Sequence, residues 1–155
     1  MKLPKGVTGF YNAKTESLPP RVEYKLFKKI VHDLARELGD EVIAAFEEAP
    51  DRNYFYAKLK GKFDCNILCN AHFPIFALSA PFEEPPFGND SHKFIENPKA
   101  KEFLNNLKGI EYLGVEFLNQ KVTTEFLSTL SKAEVEQIQY WGSTTVGEVI
   151  FNYYD

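Results

Sequence analysis

Cys65, Cys69 and His72 are the residues of this chain whose types most readily do chemistry, because thiolate and imidazole are the usual ligands of zinc. Their spacing argues against it. On a strand, Cys65 and Cys69 share a face with Phe63 and Ile67, His72 has the opposite parity beside Pro74, and no fourth ligand stands nearby. Both thiols therefore read as small buried hydrophobes, and no metal site is expected. The same cysteines with His32, His72 or His92 could supply a nucleophile and a base, but no nucleophile-elbow, protease or redox spacing surrounds them. His32 falls between lysines and an acid on the polar side of a helix, which is a solvated position. Neither a glycine-rich phosphate loop nor a dinucleotide fingerprint is present, so no cofactor is expected.

Carboxylates are the second candidate set. Adjacent Glu47 and Glu48 would face opposite sides of a strand and cannot converge on one cation. The stretch Pro81-Phe82-Glu83-Glu84-Pro85-Pro86-Phe87-Gly88-Asn89-Asp90 differs, with three carboxylates and two aromatic rings on a proline-stiffened loop. Glu83, Glu84, Phe87 and Asp90 are its candidate binding residues, and a basic protein surface is the partner that suits them. In the plainer reading, Phe82 and Phe87 pin a connection to the core while the acids face water.

These residues need elements to position them. From Arg21, the apolar residues Val22, Leu26, Phe27, Ile30, Val31, Leu34 and Leu38 recur at helical spacing, with Pro20 suited to the first turn and Gly39 to the stop. Between Glu41 and Ala80, short runs rich in aromatic and β-branched residues are broken at Pro50–Asn53, Gly61-Lys62 and Asn70–Pro74, which predicts a meander of about four antiparallel strands. Phe55, Ala57 and Leu59 alternate with Tyr56, Lys58 and Lys60, so one face should be covered by the first helix and the other wetter, in two layers.

Residues 1–20 read as an extended arm packed loosely on the body, and residues 81–97 as a long acidic loop. Asn97-Pro98 marks the start of a second helix that ends by Gly109, and Ile110–Leu118 suggests a further strand. Thr123 or Thr124 can open a short helix, and Ser131–Glu134 and Thr145–Glu148 are capping-box patterns, so the last quarter should be mainly helical. Val149–Tyr154 has strand-like composition. The outline from Ser131 to Asp155 suggests a helix-turn-helix, but its second segment lacks Lys and Arg to meet phosphate.

A length of 155 residues with 44% hydrophobic and 15% aromatic content can build one ordinary core, so residues 1–155 read as a single α+β domain. The formal net charge of −4 disfavours nucleic acid as a partner. Two cysteines four positions apart would close too small a loop to staple a secreted fold. With no signal-like run and no long apolar span, a cytoplasmic protein without membrane contact is expected.

The carboxyl-terminal stretch Glu136-Gln137-Ile138-Gln139-Tyr140-Trp141, followed by Gly147-Glu148-Val149-Ile150-Phe151-Asn152-Tyr153-Tyr154-Asp155, resembles the ending of a group of small uncharacterised bacterial proteins, with weaker echoes around Phe76-Ala77. Members of such groups can look like immunity proteins, which bind and neutralise a cognate toxin. The resemblance implies a bacterial cytoplasmic origin and carries no catalytic residues, while the missing catalytic set and the acidic loop point to a non-enzymatic protein-binding module of the immunity or antitoxin type. A small hydrolase with a dispersed carboxylate or histidine site is the alternative, since catalytic groups usually come from separate elements. Self-association through an uncovered strand edge is a third.

Overall fold

The computed structural model describes residues 2–87 and 90–154. Its first helix, α1, spans Tyr24–Leu38 and buries Phe27, Ile30, Val31, Leu34, Ala35 and Leu38 along one stripe. Gly39 ends it in the left-handed conformation (φ 74°), which lets its N–H reach the carbonyls of Ala35 and Arg36. The start lies later than the apolar spacing suggests. Val22 donates its N–H to Ala71 (2.8 Å), so Pro20 and Arg21 run alongside the sheet instead of entering the first turn.

Four antiparallel strands follow, β1 (Asp40–Phe46), β2 (Tyr54–Gly61), β3 (Cys65–Asn70) and β4 (Ile75–Ser79), broken at the three places the composition marks. A fifth, β5 (Glu111–Tyr112), pairs parallel to β4 and gives the order β1-β2-β3-β4-β5. The strand expected over Ile110–Leu118 is thus cut to two residues. Past Leu113 the chain turns at Gly114 into α3 (Val115–Leu118), and Glu96 accepts the Val115 N–H at 2.6 Å.

The α+β class holds, with a correction to the layers. Phe55, Ala57 and Leu59 pack with Cys65, Ile67 and Cys69 beneath α1 and α2 (Pro98–Asn105), whose N-cap Asn97 accepts the Ala100 N–H. The opposite face is not left wet. Tyr54, Tyr56, Leu68, Ile75 and Ala77 form a second core with Leu3, Val7 and the helical segments α3, α4 (Thr124–Leu127), α5 (Lys132–Trp141) and α6 (Val146–Ile150). Every residue of β3 and β4 is buried, as a strand covered on both faces requires. The wetter part of that face is the Lys58 and Lys60 end of β2 with the adjoining outer strand β1, where Glu41 and Ile43 are exposed.

The first part of the amino-terminal arm is embedded instead of loosely packed, whereas residues 12–15, 17 and 18 are exposed. Leu3, Gly6, Val7 and Thr8 are buried, and the fully buried carboxylate of Glu134 accepts from the N–H groups of Gly6 (2.9 Å) and Thr8 (3.1 Å) and from the Thr8 hydroxyl (2.7 Å). Glu134 also completes the capping box with Ser131. At Thr145 the box is only half made: Thr145 caps Glu148, but the Glu148 carboxylate turns to Thr144. Val149 and Ile150 end α6, and the residues after them are irregular, so the strand-like composition of this run reflects burial instead of pairing. The helix-turn-helix outline dissolves, because α6 has five residues and buries Val146, Gly147, Val149 and Ile150 in the second core.

Candidate functional site

The loop after β4 is held at several points. Phe82 lies inside, its ring 5.2 Å from Tyr56, while Glu83 offers its carbonyl to the Lys58 amine (2.9 Å) and leaves its carboxylate in solvent. Glu84 and Asp90 are exposed as well. Phe87 does not turn into the core: it is 63% exposed, resting one edge on Tyr153 at 5.9 Å, and the Tyr153 hydroxyl donates to the Asp90 carbonyl (3.4 Å). Gly88 and Asn89, part of the loop's predicted binding stretch, lie outside the described residues. The far end rejoins the sheet, where Ala80 donates to Lys93 and Ile95 to Leu78. Of the predicted residues, Glu83 and Glu84 sit near β2, and Phe87 and Asp90 sit against Tyr153.

Cys65 and Cys69 occupy the first core as free thiols. Burial raises both, Cys65 to about 12 with Asp40 and Asp64 adding to the effect, which keeps them un-ionised and poor nucleophiles. Among the described residues no group of three or more His, Cys, Asp or Glu side chains could hold a metal ion. His32 is exposed on α1.

His72 is placed with more chemistry than its parity suggests. It lines an open cleft of about 250 Å³ with Arg21, Glu48, Arg52, Asn53 and Tyr154. Its Nδ1 lies 2.9 Å from the Pro20 carbonyl, which can only accept, so Nδ1 carries the proton and Nε2 is left an acceptor. Gly9 permits this approach, since a Cβ there would stand 2.8 Å from Nε2. Burial lowers the pKa of His72, with the Pro20 bond opposing, so the ring is neutral. Both guanidinium groups of the cleft are engaged: Arg21 pairs with Glu48 at 2.6 Å, and Arg52 donates to the Tyr54 carbonyl and stacks over Tyr56 at 5.1 Å. The hydroxyls of the lining are spoken for too, Thr8 by Glu134 and Tyr154 by Ser143. The cleft offers a base without an activated nucleophile beside it.

His92 is enclosed by aromatic rings, those of Tyr54 (5.2 Å), Phe94 (5.6 Å), Phe82 (5.8 Å) and Phe151 (6.5 Å). Both its ring nitrogens and the Tyr54 hydroxyl are buried without a hydrogen-bond partner among the described residues. Burial pushes its pKa down to about 3, so it is a neutral packing group that joins the loop to the second core.

Sequence reasoning passed over three asparagines that tie the chain together. The side-chain amides of Asn53 and Asn70 each donate to the carbonyls of Val7 and Ile150, at 2.8–3.0 Å. Asn70 also accepts from the N–H groups of His72 and Phe73, and Asn53 and Asn152 exchange backbone and side-chain bonds. Asn53 and Asn70 stand at strand breaks, where turn composition explains them locally and hides their long-range partners.

Comparison of the chain with protein-family models, with curated proteins and with solved structures finds no match. Among the described residues no helix is long and apolar enough to cross a membrane.

Proposed function

We propose that this chain is a non-enzymatic protein-binding module of the immunity or antitoxin type, acting in the bacterial cytoplasm, whose acidic loop meets a basic face of its partner. The observation that carries the reading is Phe87, an aromatic ring largely in solvent between exposed Glu84 and Asp90 on a loop tethered at Lys58 and Tyr153. An exposed aromatic anchor rimmed by charge has the anatomy of a binding hot spot. A tethered loop also loses less freedom on binding than a free one. The acids would speed encounter with a basic partner, and Phe87 would slow its release.

The test is a pull-down against the products of neighbouring genes, repeated with Glu83→Ala/Glu84→Ala/Asp90→Ala and with Phe87→Ala. The triple variant should associate about tenfold more slowly at low salt, and Phe87→Ala should dissociate faster. Recovery of no partner, together with unaltered binding by both variants of any partner found otherwise, would sink the proposal.

One observation favours a second reading, a small hydrolase: the neutral His72, its tautomer fixed by Pro20 so that Nε2 is an acceptor, lines a cleft with Arg21 and Arg52. A hydrolase screen with the parent chain and His72→Gln separates the two, since a turnover lost in His72→Gln belongs only to the enzyme.

A further inference from the structure

Strand β1 forms one end of the sheet, and among the described residues no strand or loop bonds to its outer side. Such an edge presents main-chain donors and acceptors to any extended segment that reaches it. It is also apolar where it is open. The register shifts between Val42 and Ala44, and the intervening Ile43 is 59% exposed; Phe46, stacked on Tyr56 at 4.5 Å, is 38% exposed.

The ends of this edge carry the charge that selects the occupant. Glu41 and Glu47 are exposed and in no ion pair among the described residues, and Lys60, opposite Glu41 on β2, does not close onto it. The acids beyond them are already committed: Asp40 accepts from the N–H groups of Phe63 and Asp64, and Glu48 pairs with Arg21.

A second copy of this chain is a poor occupant. If two β1 strands paired antiparallel about Ala44, Asp40 and Glu41 of each would be brought to the same end as Glu47 and Glu48 of the other, and like charges crowded at both ends of a strand pair destabilise it. A segment with cations at both ends meets the reverse situation, and meets it in either strand direction. We propose that the outer edge of β1 receives an extended segment of a partner protein in which Lys or Arg flanks a short apolar stretch. The inference rests on the protein-binding reading and adds a surface to it, separate from the Phe87 loop.

The test uses the isotopically labelled chain and two synthetic peptides: Lys-Lys-Val-Thr-Val-Thr-Val-Lys-Lys, with blocked ends, and the same centre flanked by Glu. The basic peptide should shift the backbone resonances of residues 40–47 and slow the exchange of their outward amides. It should bind about tenfold more tightly than the acidic one, as expected for two reversed charge pairs. Glu41→Gln/Glu47→Gln should erase that preference, and Ile43→Lys should abolish binding; both variants alter exposed positions, and their spectra report whether the fold is kept. Equal binding of the two peptides, or no response at β1, overturns the inference. A response at the Phe87 loop alone also overturns it while leaving the binding-module reading standing. Sedimentation of the parent as a dimer joined through β1 would overturn it independently.

Discussion

Replacing Glu134 should cost this protein more than any other single surface-to-core acid, because its carboxylate is fully buried and shared by two distant segments. Glu134→Ala leaves the N–H groups of Gly6, Thr8 and Ser131 without their acceptor, and an orphaned buried donor costs about 1–3 kcal/mol. Ser131 is only partly buried and can turn to water, so the total is about 4 kcal/mol. For a chain of this size that is a fall in Tm of about 8–16 °C. Glu134→Gln keeps one oxygen and can donate to the Thr8 hydroxyl, so it should lose about half as much. Circular dichroism melts, paired with urea titrations to check that the m-value is unchanged, give the order parent, Gln, Ala. A Glu134→Ala variant melting within about 2 °C of the parent would refute the claim that this carboxylate holds the arm.

Further outcomes follow from the same contacts. His92 must remain neutral within its aromatic box, with a folded pKa of about 3 against roughly 6.5 in the unfolded chain. Its contribution to stability is complete above pH 6.5 and is lost as pH falls towards 3, at up to about 1.4 kcal/mol per unit; His92→Phe should flatten that slope in urea titrations at pH 6.5 and 4.5. Asn53 and Asn70 donate to the same two carbonyls, so either alone partly covers for the other. A double-mutant cycle to Ala should show the pair losing about 1 kcal/mol more than the sum of the single losses. Cys65 and Cys69, buried and held as thiols, should resist alkylation by iodoacetamide at pH 8 in the native protein and react once it is unfolded, as read by mass.

Much of the scaffold was legible because its signals are local. The α1 stripe, the cap at Gly39, the three breaks of the meander, Asn97-Pro98 and the Ser131 box each depend on residues within a few positions of one another. What escaped depends on partners far along the chain. Tyr56 looked like part of the wetter face of β2 because much of its cover, Val146 to Tyr154, lies some ninety residues away. Val22 was counted into a helix that the distant Ala71 carbonyl prevents it from joining. The acidic loop was visible as composition, but composition left Phe87 either a binding residue or a pin to the core, since an aromatic residue after two prolines suits both; the structure turns it outward.

The asparagine ties also order events in time. Everything α1 needs for its face of the sheet has been synthesised by Tyr112, whereas the opposite face waits for residues 146–154. At about 5–20 residues per second, that interval lasts roughly 2–8 s, during which Tyr54, Tyr56 and Leu68 lack the part of their cover that residues 146–154 supply. A nascent chain of this kind is a half-closed sandwich, and the cell must tolerate or shield its open side until Asn152 arrives to bind Asn53 and lock the first residues of the chain beneath the last.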